Sequence, residues 1–415
     1  MSQQFIVEFP WSAQHVCDNP LARGADGVLR YGNLTPALTE LLDLQTHAFS
    51  TREAVVEIGG PRLTYRELWH SASRIAGGLQ EHGIGYGDRV AVHLPGGARW
   101  VQAFLGALLS GAVPVLVDAA LPAAAAARVI ADSSADFVLG TGGIRNSAES
   151  GMPDGAAFID DGAALNDLAL LCYTSGSPAP RGVELTNENL LSAIRSVVSA
   201  LDLPTDGLRN LVLLPLAHAS GCVDQVLPTF AVGGTVVLAP DRGRLAEAIE
   251  TERVDMVSAT PRIFTELLPA LTAGGAGREH VARISKAGHR ADRAAAPGVL
   301  ADALRAAFPE ARQWSVWGAT ETSGIGLSTE DTADAAAFSA AGSVLGFPFG
   351  GTELALWGPR AHAGRGELLC RGPNVTRRYW NDPATTAARF TGTWFHTGDL
   401  VTIEPDGLVR RGVAR

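Results

Sequence analysis

The chain has 415 residues, 46% of them hydrophobic, and a formal net charge of −10 at pH 7. That length and apolar content suffice for more than one buried core, so two or three subdomains are expected and wholesale disorder is excluded. The acidic balance, without any cluster of lysines or arginines, argues against nucleic acid and against a membrane surface as partners, so an anionic ligand must be met by local groups.

The four cysteines, Cys17, Cys172, Cys222 and Cys370, are widely spaced and form no CxxC pair. A zinc site or a disulfide framework is therefore not expected, and a reducing cytoplasm is the expected compartment. Met1 to Cys17 mixes charged, polar and proline residues and has no apolar core of a signal peptide. Residues 1 to 45 read as irregular. From about residue 50 helical and strand patterns alternate, the signature of a parallel α/β sheet. Thr64 with Glu67 three residues on forms a capping box; Leu68, Ala72, Ile75, Ala76 and Leu79 fall on one face, and Gly83 ends the helix. Arg89 to Leu94 reads as a strand, Ala98 to Ser110 as a helix stopped by Gly111, and Val113 to Val117 as the next strand. The apolar run Trp100 to Val117 is broken by Gly106, Gly111 and Pro114, which makes it a buried helix and strand rather than a membrane span. Pro122 and the alanines Ala123 to Ala127 open another helix.

A second α/β series follows, with strands at Leu168 to Tyr173, Leu211 to Leu214, Thr235 to Leu238, Val254 to Ala259, Ile284 to Gly288 and Gln313 to Trp317. After about residue 335 the texture changes to short alternating runs such as Thr352 to Trp357 and Gly366 to Cys370, rich in Gly and Pro, which suits a small β-barrel or distorted sheet. The expected organisation is thus two stacked, doubly wound α/β subdomains over residues 1–335, with a boundary near 165–210, and a small β-barrel-like subdomain over 336–415.

Between two strand-like segments lies Tyr173-Thr174-Ser175-Gly176-Ser177-Pro178-Ala179-Pro180-Arg181-Gly182-Val183. Backbone amides in such a loop can cradle phosphate oxygens, the hydroxyls add donors, and Arg181 supplies a cation. A polar turn between two strands is the plainer alternative for this segment alone. It is similar, however, to the Tyr-Thr-Ser-Gly-Ser-Thr-Gly-x-Pro-Lys-Gly loop of the adenylate-forming superfamily, which comprises acyl-CoA ligases, peptide-synthetase adenylation domains and luciferases. Here the loop is one residue shorter, Pro178-Ala179 replaces the second Thr and Gly, and Arg181 stands for the usual Lys. Thr174, Ser175, Gly176 and Ser177 carry over.

Three further segments resemble that family in the same order, so the likeness covers roughly residues 48–412. Leu214-Pro215-Leu216-Ala217-His218-Ala219-Ser220-Gly221 looks like Leu-Pro-x-x-His-x-x-Gly, whose His lies near the acyl carboxylate. Trp317-Gly318-Ala319-Thr320-Glu321 resembles Tyr-Gly-x-Thr-Glu at a strand end, where α/β ligands bind. The resemblance implies that Trp317 stacks on adenine beside Gly318, that Thr320 reaches the α-phosphate and that Glu321 helps hold Mg²⁺. Trp394-Phe395-His396-Thr397-Gly398-Asp399 is similar to Gly-Trp-x-x-Thr-Gly-Asp, which implies that Asp399 accepts the ribose hydroxyls. Upstream, Tyr379-Trp380-Asn381-Asp382-Pro383 matches the family's run into this motif and is read as packing.

The resemblance implies ATP and Mg²⁺ as cofactors, an acyl-AMP intermediate made from a carboxylic acid, and transfer to coenzyme A or a carrier-protein thiol. The family's Gly-Arg-x-Asp hinge is represented by Gly412-Val413-Ala414-Arg415, and the small lysine-bearing C-terminal domain does not follow. The single lysine, Lys286, lies in the core pattern and does not replace that domain's lysine. Three explanations stay open: a sequence cut at the hinge, a short form completed in trans by a separate C-terminal domain, or a degenerate relative that binds nucleotide or acyl group without adenylating. Amino-acid-activating relatives carry Phe-Asp where this chain has Ala217-His218, so an aryl or acyl acid is favoured over an amino acid. Gly221, Gly288 and Gly318 are expected in the acid-pocket wall, with His289 shortening the pocket or touching the acid.

Overall fold

The computed structural model describes residues 6–9, 21–140, 152–159, 162–175, 180–273, 277–288, 297–331 and 344–412. Its best local signal behaves as expected. Thr64 caps the helix Tyr65–Glu81, its backbone N–H donating to Glu67 at 2.8 Å while its hydroxyl accepts from the Glu67 N–H at 3.2 Å. Leu68, Ala72, Ile75, Ala76 and Leu79 are buried, and Gly83 turns the chain out at φ +80°. This helix packs tightly on Ala98–Leu109. A Cβ at Gly106 would lie 2.5 Å from the Ile75 side chain, so the missing side chain sets the spacing.

Two main sheets organise the described residues. The smaller runs Gly182–Thr186, Leu168–Tyr173, Val113–Leu116, Arg89–His93, Phe137–Gly140, parallel except for the antiparallel edge Gly182–Thr186. Apolar strands buried on both faces are what a parallel sheet between helices requires. The larger sheet has a parallel centre: Glu53–Glu57, Thr235–Leu238, Arg209–Val212, Met256–Ala259, Arg283–Gly288 and Arg312–Ala319. Antiparallel strands then extend it through Gly324–Glu330 and Val344–Pro348 into the β-rich C-terminal run, which is hydrogen-bonded onto the same sheet. Glu53–Glu57 joins the second sheet although it precedes the first in sequence. One apolar cluster spans both sheets, from Leu79 and Phe104 to Phe230 and Val236.

The N-terminal stretch corrects the sequence reading. Residues before 45 are not irregular throughout: Ile6–Phe9 pairs antiparallel with Glu353–Trp357, Leu21–Arg23 pairs with Leu29–Tyr31, and a helix spans Leu38–Ala48. Ala37 offers this helix no side-chain cap. Instead the carboxamide of Asn187, 149 positions away, accepts from the Leu38 N–H at 2.9 Å, so the start signal lies outside the local sequence. Among the described residues no helix is long and apolar enough to cross a membrane.

Candidate active site

The site forms where parallel strands of both sheets end. Ser175 follows Leu168–Tyr173, His218 follows Arg209–Val212, and Gly318 and Thr320 close Arg312–Ala319; all four line one cavity. Strand ends are where α/β folds leave backbone and side chains free for a ligand. The loop after Tyr173 is clasped at its base: the Thr174 N–H donates to the Arg181 carbonyl at 3.0 Å, and the Arg181 N–H donates to the Thr174 hydroxyl at 3.0 Å. Gly176 and Ser177, expected to cradle phosphate, lie outside the described residues, as does His289.

Glu321 sits in the short turn Thr320–Thr322 and is buried. Its carboxylate accepts a 2.5 Å hydrogen bond from the Tyr379 hydroxyl, and its carbonyl takes the Thr376 N–H at 2.8 Å. Tyr379 is therefore more than packing. Burial and the neighbouring carboxylate push its phenol well above the usual range, so the hydroxyl stays a donor across ordinary pH. The segment carrying it is laced to the phosphate-loop strand: the Trp380 N–H donates to the Gly182 carbonyl at 2.8 Å, and the Thr376 hydroxyl to the Glu184 carbonyl at 2.5 Å. A Cβ on Gly182 would meet Trp380 at 3.0 Å.

Two expected nucleotide contacts meet each other. The buried Trp317 indole donates to the Asp399 carboxylate at 3.3 Å, joining the parallel centre to the C-terminal strand Trp394–Ile403. Gly318, next along, admits no side chain, because a Cβ would lie 1.8 Å from the Gly324 carbonyl oxygen. Ser175 and Thr320 line the cavity, whereas Glu321 and Asp399 are not among its lining residues: Glu321 adjoins it through the turn Thr320–Thr322, and Asp399 through its hydrogen bond from Trp317. Gly221 is not among the residues lining that cavity; its Cβ would strike the Pro215 carbonyl oxygen at 2.1 Å, so close backbone approach accounts for it. Gly288 ends Arg283–Gly288 opposite Trp317, and its neighbour Ala287 reaches the cavity.

Two carboxyls escaped the sequence reading. Asp118, just past the strand Val113–Leu116 of the other sheet, bonds His218 Nε2 at 3.0 Å through Oδ2 and takes the Ala120 N–H at 2.9 Å through Oδ1. The hydrogen bond from His218 holds the Asp118 carboxyl below its usual range. Asp224, 4% exposed, lines the same cavity and takes the Ile325 N–H at 2.9 Å. Burial drives its carboxyl well above the usual range. A polar residue at a strand end and an acid in the otherwise mostly apolar stretch Cys222 to Leu227 were the available signals. Lys286, by contrast, is spent in the core on Asp331 and on the Gln313 carboxamide at 3.0 Å.

Comparison with known proteins agrees with this geometry. The model of the AMP-binding enzyme family matches residues 42–380. The chain belongs to that family. A feruloyl-CoA synthase of Amycolatopsis sp is 31% identical over 384 residues, covering 86% of this chain and 74% of that protein. Among solved structures, the inhibitor-bound N-terminal domain of FACL13 from Mycobacterium tuberculosis has a TM-score of 0.78 at 26% identity and covers 92% of this chain and 100% of that one. The O-succinylbenzoate coenzyme A synthetase of Bacillus subtilis in complex with ATP and magnesium ion has a TM-score of 0.76 at 25% identity, covering 89% of this AMP-binding enzyme and 78% of that chain. The expected acyl-CoA synthetase-like fold and the adenylate-forming kinship both hold.

Proposed function

We propose that this AMP-binding enzyme couples ATP to an aryl or acyl carboxylic acid at the cavity shared by Ser175, His218 and Thr320, and passes the acyl group to the thiol of coenzyme A or of a carrier protein. The carrying observation is that the phosphate-loop strand and the His218 strand belong to different sheets yet end on one cavity. A carboxylate oxygen attacks the α-phosphorus, the bond to the leaving pyrophosphate breaks, and acyl-AMP forms. Thr174, Ser175 and Arg181, with Gly176 and Ser177, hold the outgoing phosphates; Thr320 donates to the α-phosphate. Trp317 and Asp399 receive the nucleoside, a ribose hydroxyl taking over the acceptor that Trp317 now uses. His218, oriented by Asp118 on one ring nitrogen, turns the rest of its ring to the acid's carboxylate.

The donor set suits Mg²⁺ bound through substrate phosphates. Among the described residues no group of three or more His, Cys, Asp or Glu side chains could hold a metal by itself, so Glu321 would supply one hard oxygen and phosphates and water the rest. Bound there, the ion would neutralise phosphate charge. Tyr379 keeps the Glu321 carboxylate aimed. The resemblance to a feruloyl-CoA synthase puts aromatic acids first among substrates to try.

Pyrophosphate exchange with a panel of acids, run with a C-terminal lysine-bearing domain supplied, tests this reading. Exchange dependent on one class of acid and abolished by His218→Ala or Glu321→Gln is expected; ATP binding without exchange for any acid would refute it.

A further inference from the structure

Asp399 stands on a break in the β-ladder. The antiparallel strands Arg365–Arg371 and Trp394–Ile403 pair Glu367 with Leu400 and Leu369 with His396, so Leu368 alone faces Thr397, Gly398 and Asp399. Surplus residues on one strand make a bulge, a device that re-aims a side chain beside a site. Side chains replace its lost ladder bonds. The Thr397 hydroxyl donates to the Leu368 carbonyl at 2.8 Å and accepts from the Asp399 N–H at 3.1 Å, and Arg389 donates to the Thr397 carbonyl at 3.3 Å. Gly398 turns at φ +76°, and its N–H donates to Glu367 Oε1 at 2.8 Å. The other oxygen of Glu367, Oε2, lies 3.1 Å from His396 Nδ1. A carboxylate only accepts, so Nδ1 carries the proton, and Nε2 of the neutral ring accepts from the Thr391 hydroxyl at 2.9 Å. Trp357 packs edge-on against that ring, the centroids 5.4 Å apart. One carboxylate thus grips the bulge at Gly398 and the strand at His396, on either side of Thr397.

We propose that Glu367 is a positioning residue for nucleotide recognition: its carboxylate fixes the bulge at Thr397, Gly398 and Asp399 in the shape that presents the Asp399 carboxylate to a ribose, and so sets the preference for a ribose carrying both hydroxyls. This rests on the reading in which Asp399 accepts those hydroxyls. Glu367 acts through Gly398 rather than on the nucleotide. In the proposed nucleoside complex the Trp317 bond to Asp399, 3.3 Å long, is surrendered to the ribose, so what then aims the carboxylate is the backbone beneath it. A glycine at positive φ with its N–H unheld has many conformations open to it, and an acceptor that wanders loses the fixed geometry that two adjacent hydroxyls demand. Regular pairing continues on both sides of the bulge, Gly366 with Val401 and Cys370 with Phe395, and the Glu367 side chain is 22% exposed. Its loss therefore frees the bulge and leaves the strands paired.

The test titrates AMP and 2′,3′-dideoxy-AMP calorimetrically into the full chain. The wild type should bind AMP about tenfold tighter or better, the least that a hydrogen bond to a charged group carries. E367A should raise the Kd for AMP about tenfold and leave that for dideoxy-AMP within about twofold, so that the preference collapses. E367Q should keep it, because its carboxamide oxygen can take the Gly398 N–H while its NH₂ donates to Nδ1 of the other His396 tautomer. E367M, similar in length to the glutamate, serves should E367A not fold. A preference that survives E367A or E367M, or an equal rise in both Kd values, would show that Glu367 supports the fold alone, overturning the assignment while leaving Asp399 as the ribose acceptor. Equal wild-type binding of the two nucleotides, a preference that D399A leaves unaltered, or no binding of AMP would instead remove the ribose reading, and this inference with it.

Discussion

Replacing Tyr379 by Phe removes one hydroxyl and leaves the ring, so no cavity opens. Both partners of the lost bond are buried, Tyr379 at 2% exposure and Glu321 at 7%, and the 2.5 Å distance is that of a charge-assisted O–H···O⁻ bond. A hydrogen bond to a charged group is worth about 1.5–3 kcal/mol, and the carboxylate left behind has little solvent to replace it. Denaturant unfolding of Y379F should therefore show a loss of about 2 kcal/mol. The functional consequence is separable: with its orienting donor gone, Glu321 should require about tenfold more Mg²⁺ for half-maximal pyrophosphate exchange, as is usual when the partner of a metal-binding carboxylate is removed. A double-mutant cycle with Glu321→Gln isolates the pair, and a coupling of about 1 kcal/mol or more is expected. Additivity within about 0.5 kcal/mol, with an unchanged Mg²⁺ requirement, would show that the contact is incidental to the site.

Other outcomes follow from the remaining carboxyls and the lysine. Asp118 is held below its usual range by His218, so its share of stability is present above about pH 4 and is lost as pH falls through the depressed value; D118N should flatten that acid limb in thermal melts and raise the KM for the acid by about tenfold with ATP affinity unchanged. Asp224 has the opposite sign. Its carboxyl is raised by burial, so folding takes up a proton and stability falls as pH rises above about 4; the melting advantage of D224N over wild type should grow between pH 4 and 7, and a constant difference would contradict the buried, singly bonded carboxyl. Lys286 is paired with Asp331 in the core, and burial lowers its pKa. K286M should cost about 3 kcal/mol in urea unfolding by stranding Asp331, and an amine-acylating reagent should label Lys286 in the wild type only once the chain is unfolded, as read by mass spectrometry.

The sequence by itself determined the helix Tyr65–Glu81, the buried strands around it and the order of the loop, His218, Thr320-Glu321 and Asp399 segments, because capping, apolar period and short polar runs at strand ends are set by neighbours a few residues apart. Only the tertiary structure decided which side chains meet. Asp118 reaches His218 across 100 positions, Tyr379 reaches Glu321 across 58, and Asn187 caps a helix 149 positions away. Strand order sets those meetings, and it also placed Glu53–Glu57 in the second sheet ahead of its turn. Local propensity carries no record of such pairings: a hydrogen bond between distant elements is fixed by how two sheets stack, and a lone Asp or Tyr in an apolar run reads the same whether it faces a cavity or packs in a core.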